Sequence, residues 1–149
     1  MIDEKMQQLL TSVSEKILES KKEVSIANGI DDLDAFNRII IRNPGHIIYY
    51  NNLYIKVREV RLNEEQSLDE TYAKLYCEYK SAINGEKSPS DTTVVQMIIN
   101  NSKYQFQKRI VIRLESLEDS LKGILSAFRS QLDALQTVCN NLRAERKVI

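Results

Sequence analysis

Tryptophan is absent, histidine occurs once, and 149 residues hold only four glycines, two prolines and two cysteines. Each scarcity closes a class. Cys77 and Cys139 do not make a disulfide framework; in the hairpin expected below they sit on the order of 45 Å apart along its axis, beyond disulfide reach. Cys139 reads as a small hydrophobe in a packed seam. The lone His46, beside Pro44-Gly45, has no cysteine, carboxylate pair or second histidine at metal-ligand spacing, so it reads as a polar residue of a helix start and no metal is expected. Gly29, Gly45, Gly85 and Gly123 are too scattered for a phosphate loop or dinucleotide fingerprint, so no cofactor is expected. The chain is expected not to be an enzyme. No apolar run approaches the roughly 18 residues of a membrane span, and Met1-Ile2-Asp3-Glu4-Lys5 lacks a signal pattern. The expectation is a cytoplasmic protein (host cytoplasm if viral) with no membrane partner.

With 42% hydrophobic and 28% charged residues the composition suits one soluble domain with a core. Lys and Arg number 21, as do Asp and Glu. Neutrality argues against wholesale electrostatic wrapping of DNA but leaves room for a local basic face.

What the chain has in abundance is helical periodicity. Ile110, Leu114, Leu117, Leu121, Ile124, Phe128, Leu132, Leu135, Cys139 and Leu142 follow three- and four-residue steps, with one extra four-residue step from Phe128 to Leu132. That seam spans about 48 Å of helix and demands a partner surface. A matching stripe, Tyr50, Leu53, Val57, Val60, Glu64, Leu68, Tyr72, Leu75, Tyr79 and Ala82, predicts a helix over 45–83, closed by Asn84-Gly85.

Shorter elements surround these two. Ile2, Met6, Leu9, Val13 and Ile17 predict an amphipathic helix over 2–21 that ends before Asn28-Gly29. Asp31 or Asp32 caps a short helix with Leu33, Phe36 and Ile40 inward, interrupted at Asn43-Pro44-Gly45, where Asn43 reads as a cap and Pro44 as a first-turn residue. Ser88, Pro89 and Asp91 read as cap, first position and capping-box partner. Residues 92–101 are strand on β-branched content or helix on capping, and helix is preferred. Ser102-Lys103-Tyr104-Gln105 reads as a second capping box, opening a final helix to about 146.

The expected architecture is all-α: N-terminal acidic helices over 1–44 and a long antiparallel helical hairpin over 45–149, with about 20 residues joining its arms. Tyr49, Tyr54, Ile55, Val111, Ile112, Leu125 and Val138 lie off the two seams. They widen the apolar surface beyond what one helix covers, so either the N-terminal helices or neighbouring subunits dock there. A homo-oligomer is expected, with Leu114, Leu117, Leu121, Phe128, Leu132 and Leu135 in the hairpin or oligomer seam.

Charge supplies the strongest chemical asymmetry. No acid occurs from Thr92 to Leu114, whereas Lys103, Lys108, Arg109 and Arg113 are interleaved with Tyr104 and Phe106. That pattern suits a single-stranded polynucleotide, because cations release phosphate counterions and aromatic faces stack on bases without reading sequence. Lys56, Arg58 and Arg61 extend the basic surface, and Lys74 with Lys80 place it near the hairpin tip. Residues 1–34, by contrast, hold eight acids against four lysines. The competing reading pairs Lys108, Arg109 and Arg113 with Glu64, Glu65, Asp69 or Glu70 across the seam. Tyr72, Tyr76 and Tyr79 are likewise divided between helix packing and base stacking.

A tyrosine-bearing helix end, Lys74-Leu75-Tyr76-Cys77-Glu78-Tyr79, precedes a turn at Gly85 and the apolar segment Val94-Val95-Gln96-Met97-Ile98-Ile99. A polar break at 100–103, Lys108-Arg109 and a leucine-rich helix ending near Asn140-Asn141-Leu142-Arg143 complete the order. Over residues 46–146 this pattern resembles the T4-type phage recombination mediator (UvsY-like) family. The resemblance implies a small helical protein that forms a ring-like oligomer, binds single-stranded DNA and contacts a strand-exchange recombinase and a single-strand binding protein. It also implies roles in recombination and DNA repair, with Lys74 most directly, and Lys80 more loosely, in the position of the family's DNA-contacting basic residues. The alternative is a non-enzymatic coiled-coil structural or adaptor protein that self-associates and docks a protein partner, with the acidic first helix as docking element.

Overall fold

Long runs of strong helix formers, broken by Ser-, Pro- and Asn-containing connectors, favour helices. The structure, a computed structural model, describes residues 4, 8, 11–16, 18, 19, 33–81 and 87–146, without the side chains of 33–40, 138, 139, 142, 143, 145 and 146. Among the described residues no strand occurs, and the fold is all-α. Helical residues 11–16 with Leu18 and Glu19 belong to α1; α2 is Leu33–Lys80, α3 Asp91–Ile99 and α4 Ser102–Arg146. The caps expected at Asp31 or Asp32 and at Asn84-Gly85, the inward faces of Leu33, Phe36 and Ile40, and the side chains of Val138, Cys139 and Leu142 lie outside the described residues. So do Ile2, Met6, Leu9, Ile17 and Ala82.

One expectation fails at Asn43-Pro44-Gly45. In place of two helices meeting there, α2 runs unbroken through Pro44. Proline lacks the N–H that would bond the carbonyl of residue 40, and its ring crowds that carbonyl, a cost of about 3 kcal/mol in a helix interior. Tertiary contacts override the local signal. Asn43 is no cap: its side chain is buried, with Nδ2 donating to the Phe128 carbonyl at 3.2 Å and to Gln131 Oε1 at 3.2 Å. His46 and Tyr50 both stack on the Phe128 ring, at 5.3 and 5.6 Å between centroids. His46 is therefore part of an aromatic stack in mid-helix and not the opening of a helix.

The chain divides into two compact units, Met1–Lys56 with Leu117–Ile149, and Val57–Ser116. In the first, Asn43 meets Gln131 and Tyr54 lies under the Lys122 ammonium, so the α2 and α4 segments run antiparallel. Tyr50, Leu117, Leu121, Ile124, Leu125, Phe128 and Leu135 are buried and Leu132 is half-buried. Helix α1 docks on this unit: Val13 is fully buried, and Tyr50 Oη donates to the Lys16 carbonyl at 3.2 Å. In the second unit Ser67 meets Gln107, Tyr72 meets Tyr104 and Tyr79 meets Asn101, again antiparallel. Val57, Val94, Ile98, Ile110, Val111 and Leu114 form its core.

The periodic seam is thus inward at every described position, but the expected wet flanks are only partly so. Val111 and Leu125 are buried, whereas Tyr49, Ile55 and Ile112 are exposed. A helix face of three or four residues per two turns takes in neighbours of the seam on one side only.

Both expected caps move. Ser88 does not cap α3, because its Oγ donates to the Lys80 carbonyl at 2.6 Å and closes the end of α2. Ser90 caps instead, in an extended conformation, accepting from Thr93 N at 3.3 Å. Residues 91–99 are helical, as the capping signals favour. Helix α4 is capped by Asn101 and not Ser102: Asn101 Oδ1 accepts from Lys103 N at 3.0 Å and Tyr104 N at 3.1 Å, while Nδ2 donates to Tyr79 Oη at 2.9 Å. One amide therefore both starts α4 and ties it to α2.

Candidate nucleic-acid interface

Burial of one side of α4 decides what its other side shows. In the second unit Tyr104 and Gln107 are half-buried, while Ile110, Val111 and Leu114 are buried. At about 100° per residue this turns the intervening cations outward. Lys103, Lys108, Arg109 and Arg113 are all exposed, and among the described residues none has an ion pair. Phe106, Arg109 and Arg113 share one side of the helix through steps of three and four, and Lys108 stands about 100° around from Arg109.

The competing ion-pair reading is not realised. Glu65 pairs with Arg61 on its own helix, and Glu70 accepts from Gln66 Nε2 at 3.3 Å. Arg61, expected to extend the basic surface, is thereby partly neutralised, whereas Lys56 and Arg58 are exposed.

The tyrosines divide. Tyr104 packs against Tyr72 at 6.0 Å between centroids, and Tyr72 stacks on Tyr76 at 6.4 Å. The aromatic that stands clear on this surface is Phe106, 41% exposed. Its register with Arg109 was the signal available in the sequence, since residues three apart on a helix share a side.

The two family-implied lysines have different surroundings. Lys74 is exposed on α2 with no ion pair among the described residues. Lys80 is half-buried, with Nζ donating to Asp91 Oδ1 at 2.5 Å and to the Pro89 carbonyl at 2.9 Å. Tyr76 Oη donates to the same carboxylate oxygen at 2.9 Å. The hydrogen bond from Lys80, then that from Tyr76, hold the Asp91 carboxyl below the usual carboxylate range. The Lys80 ammonium is raised by the same bond. Lys80 therefore fastens the connector before α3.

In the first unit an open groove of about 390 Å³ lies between α2 and α4, lined by Tyr54, Lys122, Arg129 and Asp133 among others. Lys122 is engaged by Asp119 at 3.2 Å and Glu118 at 3.3 Å, which raise its pKa in that order. No group of three or more metal-ligating side chains occurs among the described residues. None of their helices is long and apolar enough to cross a membrane. No protein-family model, curated protein or solved structure matches the chain.

Proposed function

We propose that this is a non-enzymatic recombination mediator: an oligomeric, antiparallel helical-hairpin protein that binds single-stranded DNA and helps load a recombinase onto it. The observation that carries the reading is the row of exposed cations at Lys103, Lys108, Arg109 and Arg113, without ion pairs among the described residues, in a segment without an acid, with Phe106 beside Arg109. Phosphates would exchange condensed counterions for these side chains, and one base would stack on Phe106. Lys74 adds a cation at the position that the family resemblance marks. A mediator needs no covalent step. Repeated weak phosphate contacts across an oligomer give firm holding, and the strand is presented to the recombinase while a single-strand binding protein is displaced.

Fluorescence anisotropy with a labelled oligothymidylate at low salt tests this. Lys108→Ala with Arg109→Ala is expected to weaken binding severely, and Phe106→Ala by roughly 5- to 150-fold, the equivalent of the ~1–3 kcal/mol of one stacked base. Absence of binding by the wild-type chain at low salt would overturn the proposal. The adaptor reading is favoured by one observation, the exposed isoleucines of α2, and would be supported by intact oligomers that ignore DNA.

A further inference from the structure

Helix α2 carries a second apolar stripe that the other described residues leave exposed. Ile41, Ile48 and Ile55 are 78%, 63% and 44% exposed. They recur every seven residues on the side of α2 opposite Asn43, Tyr50 and Val57, which also recur every seven and are buried. Each of the three is followed by an exposed residue, Arg42, Tyr49 and Lys56 in turn. From Ala35 to Arg58 the sequence has no acid, and its cations are Arg38, Arg42, Lys56 and Arg58. Across Glu59 to Glu78 the sign reverses, with six acids against Arg61 and Lys74. In that part Glu59, Leu62, Asp69, Glu70 and Glu78 are exposed. Glu59, Asp69 and Glu78 have no ion pair among the described residues.

We propose that the Ile41–Ile48–Ile55 stripe is an interface between copies of this chain, and that its occupant is the acidic outer face of α2 from the second unit of another copy. Charge selects that occupant. Stripe against stripe would set Arg42 and Lys56 against one another, and like charges in apposition oppose association. The face around Glu59, Asp69 and Glu70 brings the opposite sign, with Leu62 as its apolar contribution. Heptad spacing suits another helix, because knobs repeating every seven residues stay in register along a helical partner. This interface rests on the oligomer of the proposed function and uses Lys56 but none of the α4 cations: association that is indifferent to Ile48→Glu sinks this interface alone, and intact oligomers that ignore single-stranded DNA sink the DNA reading alone.

Sedimentation velocity of the full chain at low salt, over roughly 1–100 µM, reads the outcome; the upper end corresponds to weak association. The wild-type chain is expected to self-associate, and less so as salt rises. Ile48→Glu is expected to weaken association on the order of 100-fold, with helicity by circular dichroism unchanged because the side chain is exposed. Arg42→Glu with Lys56→Glu, and separately Asp69→Lys with Glu70→Lys, are each expected to leave monomers. Mixing those two variants is expected to restore association, since new glutamates then face new lysines while the other face of each chain keeps its native charge. A wild-type chain that stays monomeric, association indifferent to Ile48→Glu, or no rescue on mixing would overturn the proposal. So would a monomer that binds phosphatidylserine vesicles through the same isoleucines.

Discussion

Removing the Phe128 ring is the most informative single perturbation of the first unit. The residue is 3% exposed, its ring stacks with both His46 and Tyr50, and its backbone carbonyl receives the Asn43 amide. A buried phenyl group removes on the order of 200 Å² from water, worth about 5 kcal/mol at 25 cal/mol per Å², an upper bound because unfolded chains already bury some of that area. A cavity left behind adds cost and partial collapse returns some, so Phe128→Ala is expected to destabilise by about 3–5 kcal/mol. Against a total of roughly 5–15 kcal/mol for a domain, that is a large fraction. Urea unfolding followed at 222 nm measures it. His46→Ala is expected to cost less, and the coupling in the double variant should be ~0.5–1.5 kcal/mol, the worth of an aromatic pair beyond burial. A loss below about 1 kcal/mol for Phe128→Ala would mean the ring is not enclosed, and the reason given for α2 running through Pro44 would fall with it.

Further predictions bear on the helices and their joints. Pro44→Ala is expected to stabilise by about 1–3 kcal/mol in the same unfolding assay, since it restores an interior helix hydrogen bond; a neutral result would indicate a helix start at Pro44. Gly123→Ala is expected to add up to about 1 kcal/mol, because a Cβ there meets nothing within 4 Å. Asn101→Ala should lose about 1 kcal/mol and Ser102→Ala little, in urea titrations; equal losses would restore Ser102 as the cap. The Asp91 carboxyl, followed by carbon-13 chemical shift, should titrate below ordinary aspartates and move up when Lys80→Met removes its first hydrogen bond. Because its folded pKa is depressed, the contribution to stability is present above the ordinary carboxylate pKa of about 4 and is lost as pH falls through the folded value. An ordinary Asp91 titration would contradict the Lys80–Asp91–Tyr76 network.

Helix α4 was legible almost residue by residue, because an amphipathic rod with one buried side writes its burial directly into three- and four-residue spacing. Helix α2 was legible on both sides of Asn43-Pro44-Gly45, and only its continuity through them was not. Asn-Pro-Gly is a local signal, and Phe128, which overrides it, is distant in sequence. The caps slipped by one or two residues for a related reason. Ser88 and Ser90, like Asn101 and Ser102, are candidates of similar capping strength, and the choice is made by residues distant in sequence: the Lys80 carbonyl takes Ser88 away from α3, and Tyr79 anchors Asn101 at the start of α4. The three- and four-residue stripe through Tyr50 and Val57 marked the inward side of α2 and left Tyr49 and Ile55 off it, as found, but it did not extend back to Asn43 across the Pro44 signal. At the candidate interface the acid-free segment was visible, and helix geometry turns its cations outward. Phe106 differed from Tyr104 in the sequence only by its register with Arg109, and the packing of Tyr104 on Tyr72 is a three-dimensional fact.

Binding of single-stranded DNA by the α4 cations is tested most directly by the salt dependence of affinity for an oligothymidylate. Four phosphate contacts per chain should give a slope of log affinity against log salt of about −2.8, and Lys108→Ala with Arg109→Ala should bring it to about −1.4. A slope that the double substitution leaves unchanged would place any binding elsewhere on the molecule.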